Sequence, residues 1–587
     1  MDEVYLLDYG AGNVRSVENA IVKCGFKVHT ITNPDDILKA KVLVFPGVGS
    51  FGNAIKRLQA GNYIEPLKEY IKQDRRFLGI CLGMQTLFEG SEEDLQYKGL
   101  GVIPGIVKRF DSVAGFDSSL SIPQIGWNSF SRHKGSRLFE KVEEGVDDKR
   151  AYFVHSYCAM PSDLNKEWIL TTTTYGTEFI SAVQKGNVMA TQFHPEKSGA
   201  LGLQILQGFL ESTQDPPFVP PPSGVAPQGL SRRIIACLDV RKNDNGDLVV
   251  TKGDGYEVRE KKNDDKKGEV RNFGKPVEIA RRYYVEGADE ITFLNITQFR
   301  EDTLEAQTMH DMLRCVSENV FVPLTIGGGI RDYGNISALE VAEKYFRSGA
   351  DKVSLGSYAV EAVLKLRNEM NNQPDGTSAI EKISKVYGNQ AVVISVDPRR
   401  IYLETEEQLQ EALSHGYTVF DVVDDRSCAD KISYNSWLFT SLGLPDNSAD
   451  ADAASKLGCS VVDETGSKSS TCWFQCTVAG GRQRRPLDAV QLAQGTQALG
   501  AGEILLNSID KDGKNSGFDL PLVNSVRNAI SLPVIASSGA GSPQHFVQVF
   551  NESKAEAGLA AGIFHREEVS IAQVKEAVFQ ANLPVRK

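Results

Sequence analysis

The sequence predicts an α/β protein in which an open α/β domain is followed by a (β/α)8 barrel. Three observations support this fold class. Short apolar strands alternate with helical patterns along the whole chain, a proline-rich segment divides the chain at residues 212–231, and several sequence patterns of the second part occur twice within it. Alternating strands and helices are typical of parallel sheets covered by helices.

Length and composition indicate several globular domains. The 587 residues are 41% apolar and 24% charged, and the net charge is −12. This length exceeds one domain, and the acidic balance argues against nucleic acid or an anionic membrane as the main partner. Nine cysteines without regular pairing favour a reducing compartment. With no long apolar run and no leader before the first strand, we expect a cytoplasmic protein.

Residues 1–211 form the predicted open α/β domain. Apolar segments that read as strands lie at 4–7, 42–45, 77–80 and 190–193. Polar and glycine-rich groups follow directly after these strands, where open α/β sheets carry their functional residues. The segment 212–231 contains six prolines and no periodicity, so we expect a stiff, extended linker before the second domain at 232–587.

The second domain contains eight strand-like segments, each ending in a polar or glycine-rich step, which predicts a (β/α)8 barrel. These segments are 234–239, 290–295, 322–327, 352–356, 391–397, 503–510, 533–538 and 558–562. Their sequences also repeat, which predicts two related half-barrels. The paired patterns are 234–239 with 392–397, 290–297 with 503–510, and 323–329 with 533–539.

The two half-repeats are interrupted between strands 5 and 6. Residues 402–472 fill this gap, and the stretch around 445–470 is rich in Asp, Ser and Ala and weakly periodic. We expect an oversized, partly disordered insertion after strand 5. Cys472 and Cys476 lie at its end, but no second pair of ligands stands nearby, so we expect no zinc or other metal site.

A nucleophile is predicted at Cys81, within Gly79-Ile80-Cys81-Leu82-Gly83. An apolar strand runs into a tight turn and then a helix predicted over 84–88. Such an elbow exposes the side chain at a helix N-terminus, where the dipole favours a thiolate. Glycines are needed because a side chain would clash with the turn or the substrate.

A base for this nucleophile is found far downstream, at His194 and Glu196. Residues two apart on an extended chain face the same way, so the carboxylate can orient the imidazole. The alternative is a buried structural cysteine and an ordinary surface turn, but the combination favours catalysis. The glycine-rich segment 45–51 follows another strand, and its backbone N–H groups are candidates for an oxyanion hole.

The barrel presents a second candidate site. Asp239 ends strand 1 and Asp397 ends strand 5, so two carboxylates converge at the C-terminal face and can act as general acid and base. Aspartates also cap such turns without any catalytic role, but the equivalence of the two in the half-barrels favours function. Glycine-rich and hydroxyl-bearing steps after strands 3, 4, 7 and 8 predict two phosphate sites. They comprise Gly328, Gly329, Gly356, Ser357, Ser538, Gly539, Ala561 and Gly562.

These motifs resemble a known family. Cys81, His194 and Glu196 resemble the class I glutamine amidotransferase triad, and both domains are similar to imidazole glycerol phosphate synthase of the eukaryotic bifunctional type. The resemblance rests on segments 8–13, 46–49, 126–128 and 155–157 in the first domain, and on 235–240, 327–330, 395–397 and 508–513 in the barrel. The insertion is longer than the family's loop at that place.

The resemblance implies roles for individual residues. Cys81 attacks the side-chain amide of glutamine, His194 moves the proton and Glu196 holds His194. Asp239 and Asp397 are the acid/base pair of the barrel, assisted by Lys252 and Asp510, and no cofactor is implied. Glutamine and the oxyanion are bound by Gly47, Val48, Gly49, Leu82, Gln85, Glu93 and Ser156.

The family implies that the two sites are connected. Ammonia released from glutamine passes through the barrel core and attacks a ribotide with two phosphates, which gives imidazole glycerol phosphate and an aminoimidazole carboxamide ribotide. Because both activities share one chain, we expect a monomer. The residues implied in the ammonia gate are Arg233, Glu290, Lys352 and Glu503, and those between the domains are Lys197, Asp351 and Trp127.

Two other functions are compatible with parts of the sequence. A glutaminase could supply a different barrel, such as a pyridoxal phosphate synthase, but that chemistry needs a lysine at a strand end, and none of the predicted strands ends in one. A catalytically inactive scaffold is the alternative outside enzymes. The intact triad and both barrel aspartates argue against it.

Overall fold

The computed structural model describes residues 3–10, 12–142, 149–219, 229–251, 272–296, 306–424, 427–433 and 471–587. Lys252, the centre of the proline-rich segment and most of the insertion lie outside these residues. Within the described part of the chain, no helix is long and apolar enough to cross a membrane.

The first part of the chain is built on one large mixed sheet. Its neighbours run in the order β2-β1-β3-β4-β13-β12-β11-β8, with parallel pairing from β2 to β13 and antiparallel pairing beyond. The central strands are apolar and wholly buried because helices and further chain cover both faces. The strands are β1 Glu3–Leu7, β2 Lys27–Ile31, β3 Val42–Gly47, β4 Arg76–Cys81, β5 Phe88–Ser91, β6 Ile103–Arg109, β7 Gln124–Ser129, β8 Ser131–Arg132, β9 Arg150–His155, β10 Tyr157–Cys158, β11 Ile169–Tyr175, β12 Thr177–Lys185 and β13 Val188–Thr191.

Five α-helices lie in the described residues of this part, and β5, β6 and β10 form a small second sheet beside them. The helices are α1 Val14–Lys23, α2 Phe51–Ala60, α3 Ile64–Lys72, α4 Leu82–Gln85 and α5 Gly199–Glu211. The helix predicted over 84–88 instead spans Leu82–Gln85. It ends earlier than predicted because Phe88 already pairs with Ile103 of β6. Sheet pairing thus ends the helix after a single turn.

The second part is a closed parallel barrel, which confirms the predicted fold class. Eight strands follow one another around it, and the last one pairs with the first, with Arg233 opposite Ala557. Each of the eight predicted segments overlaps one of these strands, although β14 extends beyond the predicted 234–239 at both ends and β27 begins one residue before the predicted 558–562. They are β14 Arg233–Lys242, β16 Glu290–Asn295, β17 Leu324–Gly327, β18 Lys352–Leu355, β19 Val392–Val396, β25 Glu503–Leu506, β26 Val534–Ser537 and β27 Ala557–Ala560.

Helices surround the barrel, and β15 Leu248–Thr251 extends β14 as an antiparallel partner. A single apolar core fills the space between helices and strands. The helices are α6 Pro276–Val285, α7 Ala306–Ser317, α8 Ala338–Arg347, α9 Ser357–Asn368, α10 Ala379–Tyr387, α12 Ala489–Ala498, α13 Leu520–Ala529, α14 Pro543–Glu552, α15 Gly562–His565 and α16 Ile571–Gln580.

The flanks of the insertion after β19 carry regular structure of their own. The helix α11 Glu406–Ser414 packs beside an antiparallel sheet of β20 Pro398–Tyr402, β21 Val419–Asp424, β22 Ser427–Ser433, β23 Thr471–Val478 and β24 Gln483–Asp488. A small apolar core holds them, and in it the rings of Tyr417 and Trp473 stack at 4.0 Å. Residues 434–470 lie outside the described chain.

The first part covers the face of the barrel where its strands begin. Direct contacts between the two parts occur at several helix-to-strand connections around this face. Asp8 pairs with Arg347 at 2.8 Å, and the Trp127 indole N–H donates to the carbonyl of Asp289 at 3.2 Å. These contacts attach the first part to the chain just before β16 and just before β18.

Candidate active sites

Cys81 lies at the strained elbow that the sequence predicts. It is the last residue of β4 and has φ 51° and ψ −103°, a backbone conformation that residues other than glycine rarely adopt. A Cβ on Gly83 would overlap the carbonyl oxygen of Phe45, and one on Gly79 would lie 2.9 Å from the backbone of Gly83. Glycine on both sides is therefore what lets the chain turn this sharply.

His194 and Glu196 meet at the same place. Nδ1 of His194 lies 2.8 Å from Oε1 of Glu196, and both side chains are buried. Burial alone would lower the pKa of His194, but the charges of Glu196 and Cys81 and hydrogen bonds to both raise it well above its usual value. The raised pKa favours an imidazolium at His194, the proton donor that a cysteine–histidine pair needs for the leaving group.

The amide side chain of Gln192 also contacts the thiol, and this contact was not predicted from the sequence. Nε2 of Gln192 donates to Sγ of Cys81 at 3.4 Å, and Oε1 of Gln192 accepts from Nε2 of Gln85 at 3.0 Å. Its position two residues before His194 was a signal available in the sequence, because alternate residues of an extended chain share a face.

A cavity in front of Cys81 gathers most of the residues predicted to bind glutamine. Gly47 does not line it and instead packs against the elbow, where a Cβ would lie 2.5 Å from the backbone nitrogen of Gly83. The predicted residues that do line the cavity are Val48, Gly49, Leu82, Gln85, Glu93 and Ser156.

Glu93 is the buried carboxylate of this cavity. It accepts a hydrogen bond from the backbone N–H of Phe51 at 2.8 Å. Burial raises the pKa of Glu93 to about 7, although this hydrogen bond opposes the shift. The Glu93 carboxyl is therefore close to half-protonated near neutral pH.

The same cavity extends to the barrel. Tyr152, Lys197, Asp351 and Lys352 line it together with Cys81 and His194. Nζ of Lys197 lies 2.6 Å from Oδ2 of Asp351. The thiol and the beginning of the barrel strands thus share one space.

Four charges close the barrel at this end. Arg233, Glu290, Lys352 and Glu503 are the first residues of β14, β16, β18 and β25, and all four are buried. They alternate in sign around a ring. Arg233 contacts Glu290 at 3.0 Å and also contacts Glu503, while Lys352 contacts Glu290 at 2.7 Å and Glu503 at 2.6 Å.

The opposite face of the barrel opens into a cavity of about 680 Å³. Asp239 and Asp397 both line it. Burial raises the pKa of Asp397, although hydrogen bonds from Asn507 and Ser395 oppose the shift. The eight predicted phosphate-binding residues line it as well, namely Gly328, Gly329, Gly356, Ser357, Ser538, Gly539, Ala561 and Gly562.

Several further side chains of this cavity were not singled out in the sequence. Asn507 donates from Nδ2 to Oδ1 of Asp397 at 2.6 Å. Asp510 does not line the cavity, because its carboxylate accepts from the backbone N–H of Arg400 at 2.6 Å; Asp512 lines it instead. Positive charge is supplied at its walls by Arg241, Arg331, Arg482, Arg485 and Arg566.

Trp127 lies at the junction of the two parts. Its indole N–H donates to the barrel, and the guanidinium of Arg586 lies 4.1 Å from the centre of the ring. In the described part of the chain, no group of three His, Cys, Asp or Glu residues is placed to hold a metal ion.

Two protein families and several known proteins match this chain. The class I glutamine amidotransferase family matches residues 5–212, and the histidine biosynthesis protein family matches residues 233–440 and 404–570. Imidazole glycerol phosphate synthase hisHF, chloroplastic, from Arabidopsis thaliana is 49% identical over 99% of this chain and 89% of its own length. The hisHF proteins of Emericella nidulans and Schizosaccharomyces pombe are each 46% identical, over 100% and 98% of this chain and 99% and 98% of their own lengths.

The triad, the charged ring and the barrel cavity therefore occur in a chain that matches these relatives over nearly its whole length. The chain belongs to the family of bifunctional imidazole glycerol phosphate synthases, in which a class I glutamine amidotransferase is joined to a histidine-biosynthesis barrel.

Proposed function

We propose that this chain hydrolyses glutamine at Cys81, passes the ammonia into the barrel, and uses it to make imidazole glycerol phosphate and aminoimidazole carboxamide ribotide from a ribotide with two phosphates. One observation carries the proposal. The cavity that contains Cys81 and His194 is also lined by Lys352, a member of the charged ring at the base of the barrel.

The first step is nucleophilic attack by the Cys81 thiolate on the side-chain carbonyl carbon of glutamine. The C–S bond forms, the C–N bond breaks, and His194 gives its proton to the leaving nitrogen, which departs as ammonia. A water molecule, deprotonated by His194, then cleaves the thioester to release glutamate and restore the thiol. Glu196 holds the imidazole in the orientation that both transfers need.

Negative charge on the substrate oxygen needs donors close to the elbow. The backbone N–H of Leu82, at the start of α4, has no partner within that helix. The N–H groups of Val48 and Gly49, which line the same cavity, are the other candidates. Donors fixed in this way stabilise the charge that develops in the transition state.

Ammonia then has to cross the ring of Arg233, Glu290, Lys352 and Glu503. As a neutral molecule it avoids the large cost of burying an ammonium ion in the barrel core. Since the ring is closed by ion pairs, passage requires at least one of them to separate. This is the basis for assigning these four residues to an ammonia gate.

In the barrel, Asp239 and Asp397 act as the acid/base pair. The raised pKa of Asp397 favours the neutral acid, which can donate a proton to the substrate. The glycine-rich steps hold one phosphate after β17 and β18 and the other after β26 and β27. The arginines on the walls supply the balancing charge.

The cysteines bear on localisation, and the single chain bears on assembly. Seven of the nine cysteines are free thiols, namely Cys24, Cys81, Cys158, Cys237, Cys315, Cys472 and Cys476, which supports a reducing compartment such as the cytoplasm. Because both activities lie on one chain with contacts all around the junction, a monomer is sufficient for the proposed reaction.

The decisive experiment compares two assays on wild type and Cys81→Ala. We expect Cys81→Ala to lose glutamine-dependent formation of imidazole glycerol phosphate and to retain formation from ammonium salts. Retention of the glutamine-dependent rate would contradict the assignment of the nucleophile.

The same assays separate the alternatives. An inactive scaffold predicts no product from either nitrogen source. A pyridoxal phosphate synthase predicts a Schiff-base lysine in the barrel, yet no lysine is among the described residues that line the cavity.

A further inference from the structure

Gln192 is a buried amide that touches the reacting sulfur. Its side chain is completely buried, and its Nε2–H donates to Sγ of Cys81 at 3.4 Å. The backbone N–H of Gln192 donates to the carbonyl of Ser181 at 2.9 Å, which anchors the residue to β12. It does not line the glutamine cavity, so it reaches the thiol without facing the substrate.

The orientation of this amide is fixed by its neighbours. Oε1 of Gln192 accepts from Nε2 of Gln85, and the same Nε2 donates to the carbonyl of Tyr157, both at 3.0 Å. An amide nitrogen has two hydrogens, so both donors of Gln85 are used. The oxygen of Gln192 must therefore face Gln85, which turns its nitrogen toward the sulfur.

We propose that Gln192 is a catalytic residue of the glutaminase reaction and that its N–H stabilises the Cys81 thiolate; this rests on the proposed role of Cys81 as nucleophile. When the thiol transfers its proton to His194, the sulfur becomes an anion between the buried side chains of His194 and Gln192. The Gln192 N–H provides a charge-assisted hydrogen bond to that anion and itself gives up no proton. His194 then remains free for proton transfer to the leaving nitrogen.

The same network assigns a role to Gln85. Because both of its N–H groups are committed, only its carbonyl oxygen is left for a ligand in the cavity that it lines. A carbonyl oxygen accepts hydrogen bonds, so it suits the α-ammonium group of glutamine rather than its carboxylate.

Alkylation of Cys81 by iodoacetamide tests the proposal, because it reports the thiolate without requiring glutamine to bind. In Gln192→Leu, of similar size but without a donor, we expect alkylation near neutral pH to slow about tenfold or more, since hydrogen bonds to charged groups are worth at least that factor. Its pH midpoint rises by about one unit. The kcat for glutamine hydrolysis falls by a similar factor with little change in KM.

Two measurements separate this effect from damage to the fold. Ammonia-dependent product formation in Gln192→Leu should match wild type. Gln184→Leu is the matched control, because Gln184 is a buried glutamine of the same domain whose amide donates to Asp215 at 2.8 Å; its alkylation profile should be unchanged.

If Gln192→Leu fails to fold, Gln85→Met takes its place. It releases the Gln192 amide from its orientation and should also raise the midpoint of alkylation. A wild-type alkylation profile in whichever variant folds overturns the proposal. If Cys81→Ala still abolishes glutamine hydrolysis in that case, the proposed function stands without Gln192; if Cys81→Ala retains hydrolysis, the proposed function itself fails.

Discussion

Lys197 and Asp351 join the triad to the barrel through an ion pair between a buried lysine and a half-buried aspartate, with 2.6 Å between Nζ and Oδ2. Lys197 directly follows Glu196 of the triad. The Asp351 carboxylate also accepts from Nδ2 of Asn13 and from the backbone N–H of Leu324 at the start of β17, both at 2.8 Å. These contacts connect the start of that strand to the residue next to the triad.

Asp351→Asn removes the charge that Lys197 meets. We expect the barrel substrate to stimulate glutamine hydrolysis in wild type through this pair. In Asp351→Asn we expect that stimulation to fall by about tenfold, within the usual range of coupling between sites. Ammonia-dependent product formation should change little. The measurement is glutamate release with and without the ribotide.

Asp311→Asn, an exposed aspartate of α7 that pairs within its own helix, serves as the control and should behave as wild type. Undiminished stimulation in Asp351→Asn would rule out this pair as the coupling element.

Glutamine binding should depend on pH through Glu93. Its raised pKa of about 7 means that at about pH 6 the carboxyl is mostly neutral and cannot attract the ammonium group of glutamine. As pH rises through 7 the carboxylate forms, so KM for glutamine should fall. KM measured from about pH 6 to about pH 8.5 tests this.

Glu93→Gln should flatten that dependence and raise KM at the alkaline end. Glu89→Gln, an exposed carboxylate on β5, the strand that precedes Glu93, should keep the wild-type profile. A KM in wild type that does not vary with pH would exclude Glu93 as the titrating group.

The charged ring should contribute to stability as well as to ammonia transfer. Glu503→Leu leaves Arg233 and Lys352 with one carboxylate between them, and breaking a buried pair costs about 3–5 kcal/mol. We expect a clear drop in the unfolding temperature of the barrel. Glu567→Gln, which breaks an exposed pair with Arg282, should cost no more than about 1 kcal/mol.

The ring also has a pH signature. Burial alone raises the pKa of Glu503, but Arg233 and Lys352 lower it below the usual value. Its stabilisation is therefore present above the unfolded pKa and is lost as pH falls through the folded pKa. Wild type should lose stability toward acid more steeply than Glu503→Leu, and parallel curves would contradict this account.

Asn507→Leu should impair the barrel reaction alone. Removing the 2.6 Å hydrogen bond to Asp397 takes away an interaction that lowers the pKa of Asp397, so the pH limb that reports this group should move upward. We expect ammonia-dependent turnover to fall by about tenfold or more.

Basal glutamine hydrolysis should not change in Asn507→Leu. Asn524→Leu on α13, which loses only an exposed contact to the carbonyl of Glu552, is the control. A lower rate with an unshifted pH profile would assign Asn507 to packing rather than to Asp397.

Local sequence determined much of this protein. The barrel strands are short apolar runs that end in glycine or a polar residue. The burial of each strand and the turn that follows it can therefore be predicted from that segment alone. Two motifs of the candidate site are equally local: Cys81 between its glycines, and His194 two residues before Glu196. Their geometry depends on a tight turn and a spacing of two residues, which the chain specifies by itself.

Contacts between distant residues were decided by the tertiary structure alone. The spacing of Gln192 from His194 indicates a shared face but not a hydrogen bond to the thiol, and nothing near Asn507 reveals that it donates to Asp397. The spacing of Asp510 and Asp512 does not tell which of them faces the cavity. The alternating signs of the four ring residues could be predicted from the sequence. The closure of the ring could not, because it depends on four strands that meet only when the barrel forms. Sequence fixes side-chain types and local conformation, whereas an aligned hydrogen bond or a buried ion pair also needs the distance and direction that only packing supplies.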